Sequence, residues 1–202
     1  GYILEASSTN FDGTGTVYSS TTLNVVLSTL TVGGPGGLLE RNATYYFRVG
    51  SRNPFGAPNY AALGATVTLT NTVAASFSGV FVTSVAASWP PLPTSPPALR
   101  DATAEGYSFE ASSTNFGALA PGGVVFSSRT AVIPVGQLTI AGLTPYVTYF
   151  FRVGTLNWGG AGNYTVLGAA VPTIFKPFGV ATAGDSQGVA WADYDRDGDL
   201  DA

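Results

Sequence analysis

From Tyr149 to Val153 the chain reads YFFRV, and its residues fall into two files: Tyr149, Phe151 and Val153 on one, Phe150 and Arg152 on the other. That two-residue period predicts a strand with one face in a core and the other nearer water. The rest of the chain consists of short runs rich in Val, Thr, Ser, Tyr and Phe. They are punctuated by 26 glycines and 13 prolines, the usage of strands joined by turns. No window sustains a 3.6-residue apolar period between helix caps, so almost no helix is expected. The pattern predicts an all-β protein.

The runs are repeated. GYILEASSTNF (1–11) returns as GYSFEASSTNF (106–116). TYYFRVGSRN (44–53) returns as TYFFRVGTLN (148–157), and NYAALGA (59–65) as NYTVLGA (163–169), at an offset one residue shorter. A period near 100 residues is a whole small sandwich domain, too long for a solenoid unit. Between these blocks the copies diverge, at GTGTVYSSTT against GALAPGGVVFSS, where hairpin loops are expected.

Three features give the second copy a family likeness. SVAASW ends at Trp89 and is followed by PPLP; Tyr107 sits within GYSFEAS; and LTPYVTYFFRV (143–153) carries Leu143, Pro145 and Tyr149. Together they resemble the strand B tryptophan with its proline-rich exit, the strand C aromatic, and the turn into strand F of a fibronectin type III domain. A tyrosine at that corner buries its ring while its hydroxyl ties down a loop backbone group. The first copy keeps Leu39 and Tyr45 at the same spacing, with Asn42 and Ala43 in a turn that lacks the proline. The resemblance implies two such immunoglobulin-like β-sandwiches in tandem, a complete one over 71–173 and an incomplete one over 1–70. The latter holds strands C to G without strands A and B. A sandwich lacking two strands exposes a core face and unpaired edges, so residues from outside 1–70 are expected to cover it.

Composition narrows the function. Only 10% of residues are charged, against roughly 25% in ordinary globular proteins. The net charge is -4, Lys176 is the single lysine, and the eight basic residues are scattered, so no nucleic-acid footprint is present. No apolar run approaches the roughly 20 residues that span a bilayer, so membrane insertion is not expected. Cys, Met and His are absent, which removes disulfides, thiol chemistry and imidazole acid–base work. The first residue is Gly rather than Met, which reads as a processed, excised or incompletely identified chain. This composition suits a bacterial exported or surface protein that folds without oxidation.

The segment 174–202 ends in DYDRDGDLD, with Asp193, Asp195, Asp197, Asp199 and Asp201 at alternate positions and Gly198 after the third. Calcium takes six to eight oxygen ligands, and alternate residues of a tight loop supply them around a permissive glycine. The spacing resembles the calcium loop of FG-GAP/VCBS-type repeats, which implies Ca2+ held by these five aspartates. A solvated acidic loop is the alternative. Residues 174–202 also have about the length of the missing strands, and GVAW ending at Trp191 resembles AASW ending at Trp89. The segment is therefore a candidate donor of strands A and B to a neighbouring chain, a form of strand addition that propagates head to tail; the rival is a window of a longer chain in which it opens a propeller.

Weaker candidates remain. GDSQG (184–188) satisfies G-x-S-x-G, but that chemistry needs a histidine base and the chain has none. GGPGG (33–37) lacks the lysine of a phosphate loop and reads as a turn. Asn42 and Asn163 begin glycosylation sequons, the latter inside an expected strand. Phe55 and Trp158, in RNPFGAPN and LNWGGAGN, are either a ligand platform or packing against a sandwich end, with packing favoured. Arg48 and Arg152 read as solvated outer-face residues. The expected function is structural: a non-catalytic building block of an extracellular fibre, its partners copies of itself, braced by calcium. The rival is a ligand- or carbohydrate-binding adhesion module excised from a large secreted multidomain protein and contacting a host or cell-surface ligand; an enzyme ranks third.

Overall fold

The computed structural model describes residues 1–33, 39–93, 103–117 and 123–173. Eleven strands and no helix occur among them. In the first repeat, β1 (Tyr2–Ser7), β2 (Val17–Thr22), β3 (Thr44–Arg52) and β4 (Pro58–Val67) form one antiparallel sheet in the order β2-β1-β3-β4. In the second, β7 (Gly106–Ser112), β8 (Val125–Thr130), β10 (Tyr149–Leu156) and β11 (Gly162–Ala170) repeat that sheet in the order β11-β10-β7-β8. Here a second sheet is added, β5 (Ser76–Val80), β6 (Ser84–Ser88) and β9 (Gln137–Ala141), in the order β5-β6-β9. Among the described residues the second repeat is thus a full two-layer sandwich, and the first has one layer.

The core lies between the two layers of the second sandwich. Tyr107, Phe109, Phe151 and Val153 alternate inward from β7 and β10 and are fully buried against Val85 and Ala87 of β6. Phe109 and Phe151 stack with ring centroids 5.6 Å apart, and Trp89 lies 5.2 Å from Tyr107. The expected tyrosine corner forms in both repeats. The Tyr149 hydroxyl accepts from the Thr144 N–H (3.3 Å), and the Tyr45 hydroxyl from the Glu40 N–H (3.1 Å).

The repeated glycines have local causes. In both repeats the ladder between the last two strands shifts register, between Phe47 and Arg48 and between Phe151 and Arg152. Gly64 and Gly168, at φ 93° and 102°, supply the left-handed residue that such bulges need.

The first repeat does not reach the expected set of strands C to G. Its segment STLTV (28–32) has the pattern of GQLTI (136–140), yet no residue from 23 to 33 is in a strand. In the second repeat that sequence becomes β9 by pairing with β6, Leu138 opposite Ala87 and Ile140 opposite Val85. Among the described residues the first repeat has no counterpart of β6, so its strand-forming sequence pairs with nothing there.

Candidate functional site

The face that β5, β6 and β9 cover in the second sandwich is open in the first. Tyr2, Leu4 and Val49 occupy the positions of Tyr107, Phe109 and Val153, but are only half-buried where the latter are fully buried. Leu63, the counterpart of Leu167, is 60% exposed. These four side chains and the strand-less stretch Leu27–Leu30 line a groove of about 520 Å³. Beside it Leu23, Val25 and Val26 stand largely in water. Taking each aliphatic side chain fully out of water is worth about 2 kcal/mol, so covering this face is strongly favourable.

Tyr2 marks the open state. In the second sandwich the Tyr107 hydroxyl accepts the Leu92 N–H at 2.7 Å, fixing the chain as it leaves β6. Burial pushes the Tyr107 pKa above its ordinary value, with the Leu92 bond working against it. Tyr2 instead donates to the Val25 carbonyl at 3.3 Å.

A second feature is the joint between the sandwiches. The loop after β10 is an asparagine-centred turn: Asn157 Oδ1 accepts from the Gly159 and Ala161 N–H groups, and the Asn157 N–H donates to Ala161 O. Its Nδ2 donates to both Val67 O and Thr68 O where the chain leaves the first repeat (3.1 Å each). Asn163 Nδ2 donates to Thr70 O, and Thr155 Oγ1 to Asn71 O. From the other side, the fully buried Asn42 accepts the Trp158 N–H at 2.8 Å and donates to Glu105 at 2.9 Å. Asn42 is committed to this joint, which closes the first sequon to a glycan.

The three repeated sequence blocks converge on the outer face of each large sheet. Glu110 on β7 accepts Nε and Nη2 of Arg152 (2.9 and 2.7 Å), the Tyr164 hydroxyl (2.8 Å) and the Ser108 hydroxyl (3.0 Å). The Arg152 guanidinium lies between two rings, 3.9 Å from the centroids of Phe116 and Tyr164. In the first repeat Arg48 binds Glu5 at 2.7 Å between Phe11 (4.0 Å) and Tyr60 (3.8 Å). The two arginines are therefore not simply solvated, as their outer-face position implied, but clamped by charge and ring stacking.

The remaining repeated residues build that clamp. Ser112 Oγ accepts from the Thr114 and Phe116 N–H groups, as Ser7 Oγ does from Thr9 and Phe11. The tight turn puts Phe11 and Phe116 in the left-handed region (φ 62° and 58°), an uncommon conformation for a bulky residue, which carries each ring back over its arginine. A Cβ at Gly154 would lie 2.6 Å from the Tyr164 ring, so glycine is what lets that ring lie flat across the strand. Burial raises the Glu110 pKa, but the hydrogen bonds from Arg152, Tyr164 and Ser108 outweigh it, and the carboxyl sits below its ordinary value. With every oxygen satisfied, the cluster braces the sheet and leaves no free acid or base.

No family model matches the chain, and no curated protein matches it. Among solved structures it is similar to a two-domain fibronectin type III segment of chicken tenascin, at 15% identity over 83% of each chain (TM-score 0.36). It is also similar to domains of titin, at 19% identity (TM-score 0.35), and to the FN1–FN3 domains of chicken CNTN1, at 14% identity (TM-score 0.34). It spans 44% of that titin segment and 56% of the CNTN1 segment.

Several sequence candidates have definite places. Phe55 is 97% exposed at the free end of the first repeat, whereas Trp158 (55% exposed) belongs to the joint. Asn163 lies in β11, as expected. The five aspartates from Asp193 to Asp201 and GDSQG lie outside the described residues, as does most of GGPGG. The groove was legible as missing strands. The arginine clamp was not, although the identical EASSTNF blocks carried its signal.

Proposed function

We propose that this chain is a non-catalytic structural unit of an extracellular, bacterial surface fibre, assembled head to tail by strand complementation. Residues 174–202 of one copy would lie across the open face of the next copy's first repeat as strands A and B. Thr29–Val32 would then pair with the donated GVAW strand, as β9 pairs with β6. Calcium held by Asp193, Asp195, Asp197, Asp199 and Asp201 would stiffen the donated segment by neutralising carboxylates that otherwise repel one another.

The observation that carries this reading is the groove framed by Tyr2, Leu4, Val49 and Leu63, whose counterparts are covered by a second sheet in the same molecule. An exposed apolar face of this kind marks an interaction surface. The test is deletion of 174–202, read by sedimentation and electron microscopy. The intact chain is expected to form filaments that chelator shortens, and the truncated chain to remain short and lose order in its first repeat. Identical assemblies with and without the segment would refute donation. Assemblies indifferent to chelator would refute the calcium brace alone.

A further inference from the structure

The joint between the repeats has two halves, and each half has a counterpart among the described residues on the far side of the other repeat. The loop Asn53–Ala57 of the first repeat has the same internal bonds as Asn157–Ala161. Asn53 Oδ1 accepts the Ala57 N–H (2.9 Å), the Asn53 N–H donates to Ala57 O (3.0 Å), and the Gly56 N–H to Asn53 O (2.9 Å). The second loop uses its spare amide to grip the chain leaving the first repeat. Among the described residues, Asn53 Nδ2 donates to nothing, and Asn59, the counterpart of Asn163, is exposed. The gripping loop is folded and, among the described residues, grips nothing.

The complementary half lies at the far end of the second sandwich. Val171 and Pro172 stand where Val67 and Thr68 stand in the first repeat, and Tyr146 where Asn42 stands. The Tyr146 N–H donates to Pro172 O, and the Leu143 N–H to Thr83 O, which gathers this turn, the chain exit and the β5–β6 turn at one end. That end is apolar: Tyr146 is 66% exposed, Phe81 57%, and Val171 37%. Tyr146 holds a left-handed φ of 61°, a conformation asparagine tolerates far better than tyrosine, with its ring in water.

The differences between the halves are matched. Internally, Asn42 accepts the Trp158 N–H. At the outer ends the acceptor is replaced by Tyr146, and the donor position by Pro54, which has no N–H. Both halves of one hydrogen bond have been exchanged for apolar surface, and Phe55 beside Pro54 adds a fully presented ring.

We propose that the loop Asn53–Ala57 docks on the far end of the second sandwich of another copy of this chain. Asn53 Nδ2 donates to the Val171 carbonyl there, Pro172 being buried and its carbonyl already taken by the Tyr146 N–H, and Pro54 and Phe55 pack on Tyr146 and Phe81. This takes from the fibre reading only that the partner is a second copy. It sets the geometry of the contact, so that consecutive sandwiches repeat one joint whether or not they share a chain.

The chain has no cysteine, so introduced thiols report cleanly. A Cβ built at Gly159 would lie 3.8 Å from the Val67 Cβ, the usual separation across a disulfide. Val67→Cys with Gly159→Cys should therefore close within one full-length chain. The equivalent outer pair is Val171→Cys and Phe55→Cys, carried on separate full-length chains and mixed. Heterodimers should form at least fivefold above either homodimer, and adding Asn53→Asp should remove that excess. Asn53→Asp keeps the Oδ1 that accepts from Ala57 while replacing the donating amide with a carboxylate facing the Val171 carbonyl. If the internal pair closes and the mixed outer pair yields no excess, the joint proposal is overturned. Strand donation is read separately by mixing Leu30→Cys and Val189→Cys chains, the counterparts of the paired Leu138 and Ala87. A product there without the outer product sinks the joint alone; the reverse sinks donation alone.

Discussion

STLTV at 28–32 and GQLTI at 136–140 present nearly the same side chains, and only the second is a strand. The second pairs along β6, and Ile140 is buried in the same core cluster as Phe109 and Phe151. The first lies beside an open sheet with Leu23 and Val26 each 84% exposed. Intrinsic β preference is worth less than the ladder and the burial that a partner provides. The pair teaches that strand formation here is a property of two segments together.

The largest expected effect breaks the comparison at its centre. Phe109→Ala should destabilise the second sandwich by about 3–5 kcal/mol, since it opens a cavity in a closed core. Leu4→Ala, at the matching position, should change the isolated chain by less than about 1 kcal/mol because water already reaches the site. Urea unfolding followed repeat by repeat checks both. If the two substitutions weigh equally, the first repeat has a closed core after all.

The clamps sharpen the comparison next. Arg152→Ala leaves the nearly buried Glu110 with only the longer, exposed cation contact to Arg129 (3.9 Å) and should cost about 2–3 kcal/mol, more than Arg48→Ala beside Glu5. Amide hydrogen exchange in β7 and β1 would resolve the two effects.

Acid tests the same group. The folded pKa of Glu110 is lowered, so its stabilising contribution is present above the ordinary carboxyl value of 4.5 and is lost as pH falls through the depressed value. Thermal melts should show the second sandwich losing stability below about pH 4.5, and Glu110→Gln should flatten that slope. A slope that survives the substitution would place the titration elsewhere.

The smallest effect concerns hydroxyls. Tyr107→Phe removes the acceptor for the Leu92 N–H and should cost about 1 kcal/mol, whereas Tyr2→Phe loses only an exposed bond and should be nearly neutral. Once the groove is covered, Tyr2→Phe should begin to matter as well.

How much could be read beforehand differs between features. The tyrosine corners, the buried Trp89 and the inward file Tyr149, Phe151, Val153 follow from short-range spacing, and all are found in place. The clamp needed Glu110, Phe116, Arg152 and Tyr164 to meet from sequence positions up to 54 apart, through the registers of β7, β10 and β11. Repetition of their sequence blocks signalled importance without revealing that they touch. The joint was less legible still, since Asn42 and Trp158 are separated by 116 residues.

By itself, the order of residues decided which stretches could become strands, where the turns fall, and that the first seventy residues carry half a sandwich, because these depend on neighbours a few positions away. Tertiary structure alone decided that Leu30–Val32 stays out of a sheet, that Arg48 and Arg152 are stacked and paired, and that Asn157 grips the chain below it. Each of those needs a partner brought from far along the chain, and hydrogen bonds and buried surface exist only once the partner has arrived.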